Sequence, residues 1–353
     1  MKGIRNTSLL LFSVLLLAGC SLVSSSADGG VFRSDDGGKN FAQKVTIDEK
    51  TKIGSVDVLS LAVSPQNGNE VYIGTVSSGI FKTTDAGEKW QALKVSMSTA
   101  GKVYSVAVDP INSNAVYAAA IVDGRGKILK STDAGVNWKE IYTEASSGSF
   151  VLALALDPAG SGKIFGGTAG GQIIFSDNNG DTWKNLYKAQ GGVFKIAIDS
   201  MNSNLAYFAV SQSGLLRTRD GGKNFENLGE KNNLNTQQQI GNPTAIVADP
   251  SRTNWIYAGT TTGLFRSKNG GDDWESLKVL SAPQANQTNS IRGIAINSQN
   301  SDEIVYGAAQ AFYKSVDGGQ SWAAVQLNGS RTAEAIAYNR QNPGVIYVGM
   351  NKR

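Results

Sequence analysis

The stretch STDAGVNW, residues 131–138, decides how this chain is read. A hydroxyl residue, an Asp two positions on, a Gly two beyond that and an aromatic ring three further on spell a tight polar turn ending on a bulky anchor. The Ser hydroxyl and the Asp oxygen are suited to accept backbone N–H groups of the turn. The Gly permits a positive φ where a β-carbon would clash, and the Trp can be buried against neighbouring strands. A short apolar strand, KILK, leads into it, so the stretch reads as a hairpin turn between two strands.

The pattern occurs seven times. The other copies are SDDGGKNF (34–41), TTDAGEKW (83–90), SDNNGDTW (176–183), TRDGGKNF (218–225), SKNGGDDW (267–274) and SVDGGQSW (315–322). Its third position falls at Asp36, Asp85, Asp133, Asn178, Asp220, Asn269 and Asp317, spaced by 49, 48, 45, 42, 49 and 48 residues. Trp90, Trp138, Trp183, Trp274 and Trp322 close five copies, and Phe41 and Phe225 the other two. Asn178 and Asn269 keep the accepting oxygen without the charge, so these positions read as structural rather than as acids or metal ligands. A β-type repeat of 40–50 residues is the signature of propeller blades.

Each repeat contains four strands: an inner run such as LSLAVSP, YSVAVDP or ALALDP, a second such as VYIGT or VYAAA, the strand entering the box and the strand leaving it. The first box lacks two preceding strands, and the final segment, AEAIAYNRQNPGVIYVGMNKR, supplies two strands with no box. Joined, they complete one blade. The expected fold is all-β, a single seven-bladed β-propeller of four-stranded blades closed by a 2+2 overlap of N- and C-terminal strands, with no helix. The overlap removes the free sheet edges.

Residues 1–19 read as a signal peptide: Lys2 and Arg5 form a basic start, and residues 8–17 form an apolar run too short to span a bilayer. The run ends in Leu-Ala-Gly-Cys, similar to the lipobox of bacterial lipoproteins. That resemblance implies lipidation at Cys20, the only cysteine, a lipidated tether over residues 20–28, and the propeller over 29–353. The expected location is the bacterial cell envelope, with the ring anchored to a membrane outside the cytoplasm. Acyl chains contribute about 0.8 kcal/mol per buried methylene, enough for stable anchoring when two or three are present.

The boxes cover nearly the whole mature chain and resemble the Asp-box, or bacterial neuraminidase repeat, superfamily. Within it the even, minimal blades look most like the photosystem II stability/assembly factor family, with a further resemblance to sortilin-type propellers. Sialidases and xyloglucanases share the boxes, which specify fold rather than function. The sialidase resemblance implies an Arg-Ile-Pro motif, absent here, and three converging arginines. Arg33, Arg217 and Arg266 stand just before a box, where other repeats have Lys82, Lys130 and Lys314. They read as blade furniture, with stems over strands and heads in water. The xyloglucanase resemblance implies a cleft between two propellers, whereas this sequence spells one. A glycosidase needs two carboxylates about 5–9.5 Å apart, and Asp57, Asp123 and Glu334 are the plausible members.

The chain contains no histidine, which removes the commonest general base and zinc ligand. With neither a phosphate-cradling loop nor a cysteine pair, no cofactor and no metal site are expected. Asp-Pro turns at Asp109, Asp157 and Asp249 lack the EF-hand spacing and read as ordinary turn chemistry. The net charge of +4 falls to +2 without Lys2 and Arg5, no footprint for nucleic acid. The expected partner is a protein, docking on a mildly basic face around loops 44–55, 227–243 and 278–290. Arg125, Lys127, Arg292 and Arg331 are the candidate partner-binding residues, with Lys102 and Lys195 nearby. A glycan is the alternative ligand, disfavoured because the six tryptophans are Trp255 on a strand and five in boxes.

Overall fold

The computed structural model describes residues 28–94, 101–145, 148–231, 240, 243–280 and 290–352. Cys20 and the leader lie outside the described residues, as do parts of the loops at 227–243 and 278–290. The described chain is a seven-bladed β-propeller, each blade a four-stranded antiparallel sheet. Blades one to six run in simple order. In blade one the strands are Val58–Val63, Val71–Thr75, Ile80–Thr83 and Gln91–Leu93.

Blade seven is composite. Its inner strands, Thr332–Tyr338 and Ile346–Asn351, come from the C-terminal end, and its outer strands, Gly30–Ser34 and Ala42–Lys44, from the N-terminal end. Ile346–Asn351 pairs antiparallel with Gly30–Ser34, Val348 lying opposite Phe32. This is the 2+2 closure expected from the sequence. The one helix described, Leu228–Lys231, is a single turn after the last strand of blade four. It was not expected, since four residues give no periodicity to read.

Second strands are buried throughout because they lie between two strands within a blade and two blades across it: VYIGT, IFGGT and AYFAV have no exposed residue. Wedging the inner ends of seven blades around an axis demands small residues. Gly74, Gly167, Gly259, Gly307 and Gly349 occupy one equivalent position on the second strands. A β-carbon there would lie within 2.5–2.7 Å of Val103, Val193, Ile291, Ala333 or Val58 in the next blade. Ala119 and Ala209 take the place in blades two and four. A methyl group therefore fits where the backbone has adjusted, and a branched chain does not. Gly349→Val should destabilise by about 3 kcal/mol or more through overpacking, and Gly349→Ala by clearly less. Thermal unfolding of the two variants checks the order.

In all seven boxes the Ser or Thr hydroxyl donates to the Asp or Asn side chain and accepts the N–H of the box Gly; in the third box these distances are 2.7 and 2.8 Å. That Gly has φ of +92°. The box Asp or Asn then accepts the N–H of the residue four positions further on, as Asp133 does from Asn137 at 2.8 Å. These donors hold Asp133, Asp220 and Asp317 at about 2, well below the ordinary carboxylate range. Trp90 and Trp274 are buried, and Trp138, Trp183 and Trp322 partly so.

The cations before the boxes correct one expectation. The heads of Arg33, Arg217 and Arg266 are not left to water but bonded to the protein. Arg33, Lys82, Lys130, Arg217 and Arg266 each donate to the backbone carbonyl of the fourth box residue in the next blade: Ala86, Ala134, Asn179, Gly270 and Gly318 respectively. Arg217 is only 1% exposed and also pairs with Glu226 and Asp272. These side chains tie blade to blade. The Asp-Pro turns are likewise structural: Asp109 accepts the N–H groups of Ile111 and Asn112, and Asp249 those of Ser251 and Arg252.

Candidate functional site: the mouth of the central channel

The seven inner strands start on one face of the ring, and near their starts six carry the same irregularity. The register to the second strand shifts by one residue between Val58 and Ser60, Val103 and Ser105, and Val151 and Ala153. It does so again between Val193 and Lys195, Ile291 and Gly293, and Ala333 and Ala335. A bulge leaves its extra residue unpaired and re-aims it. Here the six extra residues are Leu59, Tyr104, Leu152, Phe194, Arg292 and Glu334. All line one cavity of about 190 Å³ on the ring axis. Blade five has Thr244 at this position, with its hydroxyl at the carbonyls of Gly259 and Ile291.

The order around the ring gives the mouth two halves. Blades one to four contribute the apolar arc Leu59, Tyr104, Leu152 and Phe194, while blades six and seven contribute Arg292 and Glu334. Phe150, on the loop before the third inner strand, stacks on Tyr104 with centroids 6.2 Å apart, and the Lys102 ammonium lies 4.8 Å from the Tyr104 ring. Lys195 also lines the cavity. Burial holds the Arg292 guanidinium below its usual range, and the charge of the Glu334 carboxylate offsets this only in part.

The other candidate residues are dispersed. Arg125 is exposed at the tip of the hairpin that joins Val116–Val122 to Arg125–Ser131. Lys127, one turn of strand further on, is neutralised by Glu140 at 2.8 Å and lies 3.8 Å from Asp123. Arg331 was expected on a docking face, and the structure corrects this. It is 8% exposed, pairs with Asp28 at 3.0 Å and with Asp57, and donates to the Ser55 carbonyl at 3.0 Å. Its head is committed to holding the chain near residue 28 against the loop before blade one. Of the three candidate carboxylates only Glu334 lines the mouth, since Asp57 belongs to this clasp and Asp123 to the hairpin. Among the described residues no group of three or more acidic or sulfur ligands is placed to hold a metal ion.

Asp28 titrates at about 2 rather than 3.8. Burial opposes ionisation, but the Ser330 N–H and hydroxyl and the Arg331 guanidinium outweigh it. A carboxylate depressed in the folded state adds stability above its unfolded pKa and loses it as pH falls through the folded one. The contribution of Asp28 should therefore be complete above pH 4 and vanish by about pH 2. The Asp28→Asn variant should be less stable at pH 6, and its gap to the parent should close over that window. Melting temperatures of both proteins from pH 6 to pH 2 provide the test.

Residues 29–163, less than half of the chain, match the Sortilin-Vps10 family model, described as sortilin, neurotensin receptor 3. No curated protein matches the chain. Among solved structures it is similar to the GH74 xyloglucanase from Xanthomonas campestris, with 15% identity and a TM-score of 0.70 over 88% of this chain and 52% of that one. The GH74 enzyme from Niastella koreensis gives 19% and 0.68 over 91% and 53%. YCF48 bound to D1 peptide gives 17% and 0.62 over 84% and 94%. The chain spans about half the length of the GH74 enzymes. At these identities the likeness is one of fold, shared by enzymes and by YCF48.

Proposed function

We propose that this protein is a non-enzymatic binding scaffold, lipid-anchored through Cys20 in the bacterial cell envelope, whose protein partner docks on the channel mouth. The observation that carries the reading is the two-sided mouth. Four apolar or aromatic side chains on consecutive blades face an Arg–Glu edge, a surface suited to an extended peptide with one bulky apolar residue and a charged neighbour. Support comes also from YCF48, which has the same fold over nearly its whole length and is seen with a peptide bound.

The GH74 likeness favours a second reading, glycan binding or glycoside hydrolysis, with Tyr104 and Phe194 as stacking rings. Hydrolysis needs a second carboxylate near Glu334, and Asp57 is engaged by Arg331. Purified protein should give no turnover on xyloglucan, sialosides or other polysaccharides. Hydrolysis lost in Glu334→Gln would overturn the scaffold reading. For the anchor, Cys20→Ser should leave the protein uncleaved or in the soluble fraction. Processed Cys20→Ser protein that resists a carbonate wash of the membranes would contradict lipidation.

A further inference from the structure

Below the mouth, the wall of the channel is the free edge of the inner strands. In every blade the turn after the inner strand closes with a bond such as Asp109 N–H to the Ala115 carbonyl, 2.9 Å. Antiparallel pairing alternates back from that bond, so Ala107 and Ser105 face the second strand and Val106 turns its N–H into the channel. Its acceptor belongs to the preceding blade. The Ser60 hydroxyl takes the Val106 N–H at 2.8 Å, and the Ser105 hydroxyl takes that of Leu154 at 3.3 Å. Lys195 stands at this position in blade four, and by the same register the N–H it faces is that of Ile246. An ammonium group accepts no hydrogen bond. One blade on, Ala245 offers no side-chain acceptor to the Ile294 N–H. Arg292, on the bulge just before Ile294, brings a guanidinium to the same cavity.

Donors on three consecutive blades thus open on one cavity, and among the described residues no side chain accepts from them and neither Lys195 nor Arg292 forms an ion pair. Ile246 and Ile294 turn their carbonyls the same way as their N–H groups, so the side chains set the sign of the site. Lys195 and Arg292 outweigh Glu334, the one carboxylate of the lining. We propose that the channel just below the mouth binds a small oxyanion of the phosphate type, held by Lys195, Arg292 and the N–H groups of Ile246 and Ile294. Enclosed backbone donors require a partner, and a concave set of N–H groups beside cations is suited to an anion. The anion also offsets the desolvation that Arg292 bears. A cavity of about 190 Å³ has room for about six waters at ~30 Å³ each. It admits phosphate and excludes a nucleotide or an oligosaccharide, since sites for such larger ligands begin near ~300 Å³. The site is independent of any partner docking at the mouth above it.

The test is calorimetric titration of the full-length protein with inorganic phosphate in a chloride buffer, with melting curves alongside. The parent should bind one phosphate per chain. Lys195→Gln and Arg292→Gln should each weaken binding by about tenfold or more, the loss of one charged hydrogen bond. Lys195→Ser restores the acceptor that blades one and two possess, so it should lose phosphate equally while melting no lower than the parent. Glu334→Gln removes the opposing charge and should tighten binding by about threefold or more. Arg125→Gln, at an exposed hairpin tip, should leave binding unchanged. No saturable binding below about 10 mM phosphate overturns the site. Binding that persists at parental strength in folded Lys195→Gln and Arg292→Gln shows an adventitious ion only and overturns it too. Should either glutamine variant fail to fold, Glu334→Gln decides, and affinity that is unchanged or weaker there overturns the proposal.

Discussion

Deletion of residues 343–353 is expected to abolish the cooperative unfolding transition and drive the protein into aggregates. The lost strand, Ile346–Asn351, is the second from the axis in blade seven and lies between Thr332–Tyr338 and the N-terminal pair, joining them in one sheet. Ile346, Tyr347, Val348 and Met350 are fully buried. At about 1.5–3 kcal/mol each, their burial is worth roughly 6–12 kcal/mol, comparable to the whole net stability of a domain, about 5–15 kcal/mol. The deletion also unpairs Gly30–Ser34 and opens sheet edges that template association. Calorimetry and light scattering decide the matter. A soluble, monomeric truncation with an unchanged melting temperature is incompatible with closure by this strand.

That closure was legible in the sequence because the boxes count blades and the two ends carry complementary halves of one repeat. Box chemistry was legible for the same reason: every partner of Asp133 lies within a few residues of it. What escaped the sequence depends on residues far apart. Arg331 reads as a loop charge until Asp28 and Asp57, 303 and 274 positions away, are brought to it. The arginines before the boxes read as wet because their acceptors are carbonyls in the next repeat, and any residue type supplies a carbonyl. Arg292, Lys195 and Glu334 were legible as candidates, but the apolar arc of the mouth was missed for a subtler reason. VLSL, VYSV, VLAL and VFKI read as alternating strands, and a one-residue bulge leaves no mark in such a pattern. The usable signal was positional: the residue after the buried Val58, Val103, Val151, Val193, Ile291 or Ala333 varies from Leu, Tyr and Phe to Arg and Glu between repeats, whereas the buried residue before it stays apolar.

The functional prediction therefore moves from the rim charges to the mouth. Tyr104→Ala with Phe194→Ala should weaken partner capture by about 30-fold or more, taking roughly 2 kcal/mol or above for loss of paired aromatic anchors. Both rings are only partly buried, so the ring of blades should melt near the parental temperature. Arg292→Glu removes the cation of the charged half and sets a second carboxylate beside Glu334. It should weaken capture of an acidic segment, and added salt should lessen that effect by screening the repulsion. Arg125→Glu, at an exposed hairpin tip outside the cavity, should change capture by less than about tenfold, within the range of a rim charge. Arg331 is unsuitable for this comparison because its loss opens the clasp to Asp28 and Asp57 and confounds binding with folding. The measurement is quantitative capture from native membranes by full-length parent and variants, with circular dichroism and melting curves alongside. If the double aromatic variant is folded and captures its partner as well as the parent does, the channel mouth is not the docking site. An accompanying loss in Arg125→Glu would then place docking on the outer loops.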